Sequence, residues 1–432
     1  MSEKEKIQEF IKNLTKEFGV IPKFAHNRKE FEGKVLYSGP YFNNDELEAM
    51  MESLVFGKWF SSGENVYKFE NEFSKKFNVK HSLMVNSGSS ANLLMIASLK
   101  KYFEWKDDDE IIVSVVGFPT TLSPIIVNNL KPVFVDIEMN TLNFNLKQIQ
   151  SKITDKTKAI ILSPVLANPP NIDLLMSICD HYKIYLLLDN CDSLGSKWRN
   201  KYLNEYAVAS TCSFYPAHHI TSGEGGMVSS NNEEIVRIAR SMSWWGRDCH
   251  CVGSANMLQN GTCGKRFDCW LSPTYDGVVD HKYVFTNIGY NLKPLDFQGA
   301  IGRVQLKKFD EICDLRRKHE DLIIKMIMTI SNDVRGVAVD DRAYVSWFGI
   351  PIICRNIELK NKLVQHLEQN GIQTRNYFAG NILIHPAYKD LDEWQKYPIA
   401  NQVLEKVFFI GCSPTYTQEM LDHIEKVVKE FK

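Results

Sequence analysis

Apolar and polar positions along the chain follow two periods in turn. Residues 4–18 place Ile7, Phe10, Ile11, Leu14 and Phe18 at helical spacing and predict an amphipathic helix packed on the main body. A turn-rich segment follows at 34–40, then a second helix over 45–56 with Asn44 or Asp45 as its cap. From His81 onward, short apolar runs alternate with helix-period segments. Strands are expected at 81–85, 111–116, 133–137, 159–165, 184–188, 209–214 and 226–229. Helices are expected at 93–103, 121–128, 146–152, 172–182 and 233–242. This alternation predicts an α/β fold with a mostly parallel sheet covered on both faces. Ligands of such sheets sit beyond the carboxyl ends of the strands. The notable polar residues fall there: 87–90, Phe118 with its turn, 189–192 and 213–218.

A loop-rich stretch, 246–294, precedes a long helix pattern from Leu295 towards Met328. That helix leads into a smaller unit, with a strand at 344–353, a helix at 358–370, a strand at 372–377 and a terminal helix at 418–431. The expected division is an N-terminal helical arm (1–32), a large domain (33–310), and a linker helix with a small C-terminal α/β domain (311–432).

Bulk properties narrow this only a little. The 432 residues are 44% hydrophobic and 24% charged, with a formal charge of −1. Such balance gives no electrostatic case for nucleic acid or an anionic membrane. No apolar run approaches the roughly 18 residues that span a bilayer. The charged start, Met1-Ser2-Glu3-Lys4-Glu5-Lys6, lacks the apolar core of a signal peptide, so a cytoplasmic protein is expected.

Ten cysteines need a reading. A disulfide framework is not expected in a reducing compartment. Cys179, Cys212, Cys313, Cys354 and Cys412 sit inside apolar runs and read as small buried hydrophobes. Cys269 is undecided. Cys191, Cys249, Cys251 and Cys263 are spaced C-x57-C-x-C-x11-C. Four thiolates are the ligand set of a [2Fe–2S] cluster or of a structural zinc, and spacing alone does not choose. The bland alternative is four unrelated thiols.

Two further features carry chemistry. Ser87-Gly88-Ser89-Ser90 opens a helix after a strand, where amides and hydroxyls suit a phosphate. A simple N-cap reads equally well. Asp189 ends an apolar strand, where a carboxylate costs desolvation unless it is partnered.

The stretch Ser213-Phe214-Tyr215-Pro216-Ala217-His218-His219, followed by Gly223-Glu224-Gly225-Gly226, resembles the cofactor-lysine segment of the DegT/DnrJ/EryC1/StrS sugar aminotransferases. There a lysine holds pyridoxal phosphate as a Schiff base. Here that position is His218, and an imidazole cannot form the link stably but can move protons near neutral pH. Longer motifs sharpen the resemblance: Asp189-Asn190-Cys191-Asp192, Gly246-Arg247-Asp248-Cys249, Thr262-Cys263-Gly264-Lys265-Arg266-Phe267, Asp280-His281-Lys282-Tyr283 and Gly289-Tyr290-Asn291-Leu292-Lys293. With Ser346-Trp347-Phe348-Gly349 and Phe378-Ala379-Gly380-Asn381, they resemble the CDP-4-keto-6-deoxy-D-glucose 3-dehydrase family from about residue 35 onward.

That resemblance implies a fold type I aminotransferase scaffold binding pyridoxamine 5'-phosphate or pyridoxal 5'-phosphate. It implies Ser87, Gly88, Ser89 and Ser213 at the phosphate, Phe118 stacked on the ring, and Asp189 on the ring nitrogen. Asp192 lies beside the cofactor, and Asn291 reaches a neighbouring subunit's phosphate, which requires a homodimer. His218 is the proton-transfer residue; Tyr215, Phe348 and Arg375 contact substrate. Cys191, Cys249, Cys251 and Cys263 carry a [2Fe–2S] cluster, reduced by an NADH-dependent flavin iron–sulfur reductase. The substrate is a nucleotide-linked 4-keto-6-deoxy sugar, and the product a 3,6-dideoxy-4-keto sugar. Two departures are visible. The last cysteine gap is four residues longer than the family's, and 164–170 lacks a His-Thr pair common in relatives. The rival expectations are a cluster-free 3-dehydratase, a sugar aminotransferase, and a redox sensor on a transaminase scaffold.

Overall fold

Seven strands form the central sheet, in the order 81–85, 226–230, 209–213, 185–189, 157–162, 110–114, 131–135. The computed structural model describes residues 1–28, 31–249 and 263–431. Only Gly226–Ser230 runs antiparallel to its neighbours; the other strands share one direction. The inner strands are apolar on both faces, as in Ile111-Ile112-Val113 and Leu186-Leu187-Leu188, and both faces are covered. One face carries the helices Gly88–Tyr102, Pro119–Val127 and Glu233–Ser243. The other carries Leu146–Lys152, Ile172–Tyr182 and Glu64–Lys76.

The Gly88–Tyr102 helix is the hub. Ala91, Leu94, Met95, Ile96 and Leu99 are fully buried around most of its circumference. A helix apolar nearly all round belongs in a core. The mostly parallel α/β expectation therefore holds, with strand ends displaced by at most three residues.

A second sheet of four antiparallel strands, in the order 334–335, 349–354, 407–411, 374–376, forms the smaller unit with helices Ile357–Gln369 and Gln418–Glu430. The helix Asp296–Met328 joins the two. Its first half packs on Asn44–Phe56 and Glu64–Lys76, its second on the smaller unit.

Several local expectations change. Asn43, not Asn44 or Asp45, caps the second helix: its side chain accepts from the Asp45 amide, and Glu46 reaches back to the Asn43 amide. In the first helix, Glu3–Phe18, Ile11 is buried but Phe10 and Phe18 face solvent, because the arm meets the 44–56 helix along a narrow stripe. The strand expected over 344–353 begins only at Gly349. Residues 346–348 instead turn inward, and the Ser346 carbonyl accepts from His219 Nε2 at 2.7 Å.

Among the described residues, no helix is long and apolar enough to cross a membrane.

Candidate active site

Beyond the carboxyl ends of the central strands lies a cavity of about 670 Å³. Ser87, Phe118, Ser163, Asp189 and Ser213 line it, each at or just past the end of a different strand. Phe348, Arg375, Phe378 and Phe409 close it from the smaller unit, and Tyr37 from the N-terminal segment.

At one wall the chain comes very close to itself. A Cβ on Gly88 would stand 2.6 Å from Ser213 Cβ, and one on Gly226 would stand 2.3 Å from the Ser87 carbonyl oxygen. Glycine at both places lets the 87–90 turn lie directly on the paired ends of 209–213 and 226–230. Ser87 caps the helix by accepting from the Ser90 amide at 3.1 Å. The first amides of that helix have no intrahelical acceptor, so hydroxyls and N–H groups collect at one point.

Asp189 is 4% exposed. Its Oδ2 accepts from Asn92 Nδ2 at 2.8 Å and Thr121 Oγ1 at 2.7 Å; Oδ1 accepts from the Cys191 amide, at 3.2 Å. Thr211 Oγ1 in turn donates to Asn92 Oδ1 at 2.5 Å. One carboxylate oxygen is thus held by two donors, while the other keeps capacity for a further donor in the cavity.

His218 follows the 209–213 strand in a turn closed by its own amide on the Tyr215 carbonyl, at 3.0 Å. Its ring lies 5.0 Å from the Phe348 ring. Nδ1 is buried with no hydrogen-bond partner and stands 3.8 Å from Asp192 Oδ1. Burial first, then the nearby Arg316 guanidinium, pull the imidazole down to about 3, against a smaller opposing pull from the Cys191 carbonyl. Asp192 moves the other way. Burial and then the neighbouring Asp189 charge push its carboxyl up to about 7, with the Leu166 amide and Arg316 pulling back. The pair is therefore neutral between about pH 3 and pH 7, with the carboxyl protonated and the imidazole uncharged.

The two shifts have opposite linkage signs. The raised Asp192 carboxyl contributes stability that is full below the unfolded carboxyl range and is lost as pH rises through about 7. The depressed His218 contributes stability that is lost as pH falls from the ordinary imidazole range towards about 3. Cofactor-free Asp192→Asn should therefore match wild type near pH ~4 and gain on it up to pH ~8, by at most about 4 kcal/mol. Thermal melts across that range read the effect; parallel curves would refute the raised carboxyl.

Behind the turn, Arg316 of the joining helix is completely buried. It donates to the carbonyls of Ala217 at 3.0 Å, His218 at 3.1 Å and Phe348 at 2.9 Å. It binds the His218 turn to the smaller unit. Sequence reasoning missed it, as it missed Asn92, Thr121 and Tyr37.

Of the residues expected at the site, Ser87, Gly88, Ser89, Phe118, Asp189, Asp192, Ser213, Tyr215, His218, Phe348 and Arg375 all line this one cavity, and so does Cys191. Phe118 is half exposed at its rim, edge-on to Phe378. Asn291 does not line it; it is exposed on the 281–294 segment and accepts from Lys293 Nζ.

The four-cysteine expectation fares differently. Cys251 lies outside the described residues. Among the described residues, no three His, Cys, Asp or Glu side chains are placed to hold a metal, so Cys191, Cys249 and Cys263 are not gathered into one centre. Cys191 sits near Asp189 and Cys212, and burial with the Asp189 charge pushes its thiol up. Cys249 is buried, whereas Cys263 is exposed near Arg266.

The scaffold, with a buried aspartate and a serine-rich helix start at the strand ends, is that of the fold type I, pyridoxal-phosphate-dependent aminotransferases. A family model described as the DegT/DnrJ/EryC1/StrS aminotransferase family matches residues 41–430. The chain belongs to this family. It is 36% identical over 406 residues to dTDP-4-dehydro-2,6-dideoxy-D-glucose 3-dehydratase of Saccharopolyspora spinosa, covering 91% of this chain and 86% of that one. It is 35% identical to the lipopolysaccharide biosynthesis protein RfbH of Salmonella typhimurium, covering 91% of each. Among solved structures, the Escherichia coli GDP-4-keto-6-deoxy-D-mannose-3-dehydratase with bound hydrated PLP superimposes with a TM-score of 0.78 at 30% identity, covering 91% of this chain and 98% of that one.

Proposed function

We propose that the chain is a pyridoxamine-phosphate-dependent 3-dehydratase of a nucleotide-linked 4-keto-6-deoxy sugar. One observation carries this reading: an imidazole with an orphaned buried nitrogen, His218, stands in the cavity at the sequence position of the family's covalent lysine. The relatives bearing 3-dehydratase names, and the PLP in the solved relative, support it.

The residues fit the cofactor. Asp189 would hold its ring nitrogen with the under-used Oδ1. Ser87, Gly88, Ser89 and Ser213 would hold its phosphate, and Phe118 would cover its face. When bound, the cofactor supplies an amine that can join a C4 ketone and a ring that takes up electrons. His218, neutral at rest, accepts a proton at its ring nitrogen. It then returns that proton to the C3 hydroxyl as the hydroxyl leaves, acting first as base and then as acid. Asp192, 3.8 Å away, steadies the charged imidazolium between those events when its own carboxyl has lost its proton.

A homodimer belongs to this reading. Tyr283, Phe285 and Ile288 are 67%, 53% and 93% exposed on the segment that bears Asn291, which is more apolar surface than a solitary loop needs. The CDP-linked hexose remains the sugar nucleotide we favour, although the named relatives act on dTDP- and GDP-linked sugars. The [2Fe–2S] cluster on Cys191, Cys249, Cys251 and Cys263, and the NADH-dependent flavin reductase with it, rest on sequence resemblance alone. Iron and sulfide analysis after anaerobic purification, with Cys249→Ser as control, is the deciding measurement.

The function itself is tested by incubating the holoenzyme with CDP-, dTDP- and GDP-linked 4-keto-6-deoxy sugars. Mass spectrometry should show loss of water from one of them. Gain of an amino group instead would make the chain an aminotransferase, and no change on any would defeat the proposal.

A further inference from the structure

The charged residues lining the cavity are Asp189, Asp192, Glu224 and Arg375. Among the described residues, a single Lys or Arg thus faces three carboxyl groups. Two of those carboxyls lie on the side where the cofactor would sit, and the hydroxyls and amides assigned to its phosphate are neutral. A nucleotide-linked sugar adds a diphosphate, which needs a cation of its own.

Arg375 stands on the short strand Thr374–Asn376 at the opposite wall. Its guanidinium lies 4.4 Å from the centre of the Tyr37 ring. Nη1 donates to the Thr374 carbonyl at 2.7 Å, and among the described residues no carboxylate is paired with it. Four guanidinium N–H groups are left after that bond.

Tyr37 is held in place from both sides. The Val35 amide donates to the Gly371 carbonyl at 2.8 Å, and the Gln373 amide to the Val35 carbonyl at 2.9 Å. Tyr416 Oη donates to the Leu36 carbonyl at 2.7 Å, and Ser38 Oγ to the Ala217 carbonyl at 2.8 Å. A Cβ on Gly411 would stand 2.0 Å from the Tyr37 carbonyl oxygen, so the backbones are in close contact there. The strap 35–38 thus ties the smaller unit to the His218 turn and fixes an aromatic plate beneath the guanidinium. A planar cation stacked on a fixed ring loses little freedom on binding an anion.

We propose that Arg375, lying over the Tyr37 ring, is the anion subsite of the cavity and takes the diphosphate of the nucleotide-linked sugar. This rests on the substrate class proposed above. The subsite selects diphosphate-linked sugars over free ones, and keeps the sugar between Arg375 and the Asp189 wall.

Two phosphate sources compete for such a subsite, the substrate diphosphate and the cofactor. Calorimetric titration of the holoenzyme with CDP, dTDP and GDP, beside an absorbance titration of the apoenzyme with pyridoxamine phosphate, separates them. In Arg375→Ala the best nucleoside diphosphate should bind roughly 10- to 100-fold more weakly, while cofactor affinity stays within about twofold. Tyr37→Ala should weaken the same nucleoside diphosphate by roughly threefold. For the turned-over sugar nucleotide, KM should rise in Arg375→Ala with kcat nearly unchanged. Unchanged nucleoside diphosphate affinity overturns the proposal, as does a loss confined to the cofactor. Arg375-dependent binding in a protein that dehydrates no 4-keto sugar nucleotide would leave the subsite standing and remove the reaction assigned above.

Discussion

Replacing His218 with asparagine will lower 3-dehydration by about 10³-fold and leave cofactor affinity nearly untouched. General acid–base catalysis by a positioned side chain contributes roughly 10²–10⁴-fold, and here one side chain serves in both directions. Asparagine fills similar space and keeps polarity, but it cannot accept the proton. The fold should tolerate the change, because the buried Nδ1 has no hydrogen bond to lose and the turn is held through backbone groups by Arg316. His218→Lys is the sharper companion. An amine at that position should retain pyridoxal phosphate covalently, fixable by borohydride, and still fail to dehydrate. Single-turnover assays by mass spectrometry, with an absorbance titration of cofactor, read both variants. Turnover within about tenfold of wild type in either would remove His218 from proton transfer.

The same residue shows what a linear reading can and cannot reach. His218 was legible because it interrupts a long motif at one position, and Asp189 because a carboxylate ending an apolar strand demands a partner. Which partners they have was not legible. Asn92 lies in an otherwise apolar helix, and its polarity could have marked it as facing Asp189. Arg316 carried no such signal, since an arginine amid Arg317, Lys318 and Glu320 reads as a solvated helix face. Only the packing of that helix under the 217–218 turn makes it a buried clamp. The helix Glu64–Lys76 was readable in principle. Val66, Phe69, Phe73 and Phe77 keep helical spacing, and the three phenylalanines meet Phe214 and Phe309 tilted or edge-on, with ring centroids 5.0–6.0 Å apart. Helix Pro398–Lys406 and strand Val407–Gly411 were also passed over; the strand's Val-Phe-Phe-Ile run is too short to separate strand from helix by period alone. Cysteine spacing carries no information on burial: Cys249 is buried and Cys263 lies in the open.

Asp189→Asn will cost at least roughly 10²–10³-fold in turnover, by a different route from His218. The amide can keep its oxygen on Asn92 Nδ2 and Thr121 Oγ1, the two donors that now share Oδ2. Its NH₂ then replaces Oδ1, the oxygen that accepts the Cys191 amide and faces the place assigned to the ring nitrogen. Donor would meet donor on both counts. The ring nitrogen would lose the charge that keeps it protonated, and with it most of the ring's capacity to take up electrons. Cofactor affinity should fall as well, by roughly tenfold or more, which the His218 variants should not show. Asp189→Ala goes further. It leaves Asn92 and Thr121 as well as the Cys191 amide with unpaired donors in a dry site, at about 1–3 kcal/mol each, so its melting temperature should drop further than that of Asp189→Asn, which loses only the Cys191 contact. Absorbance titration, thermal melts and turnover on one preparation separate the three effects. Unimpaired turnover in Asp189→Asn would mean that the cavity holds its cofactor in some other orientation, and the proton path assigned to His218 would have to be redrawn from that new pose.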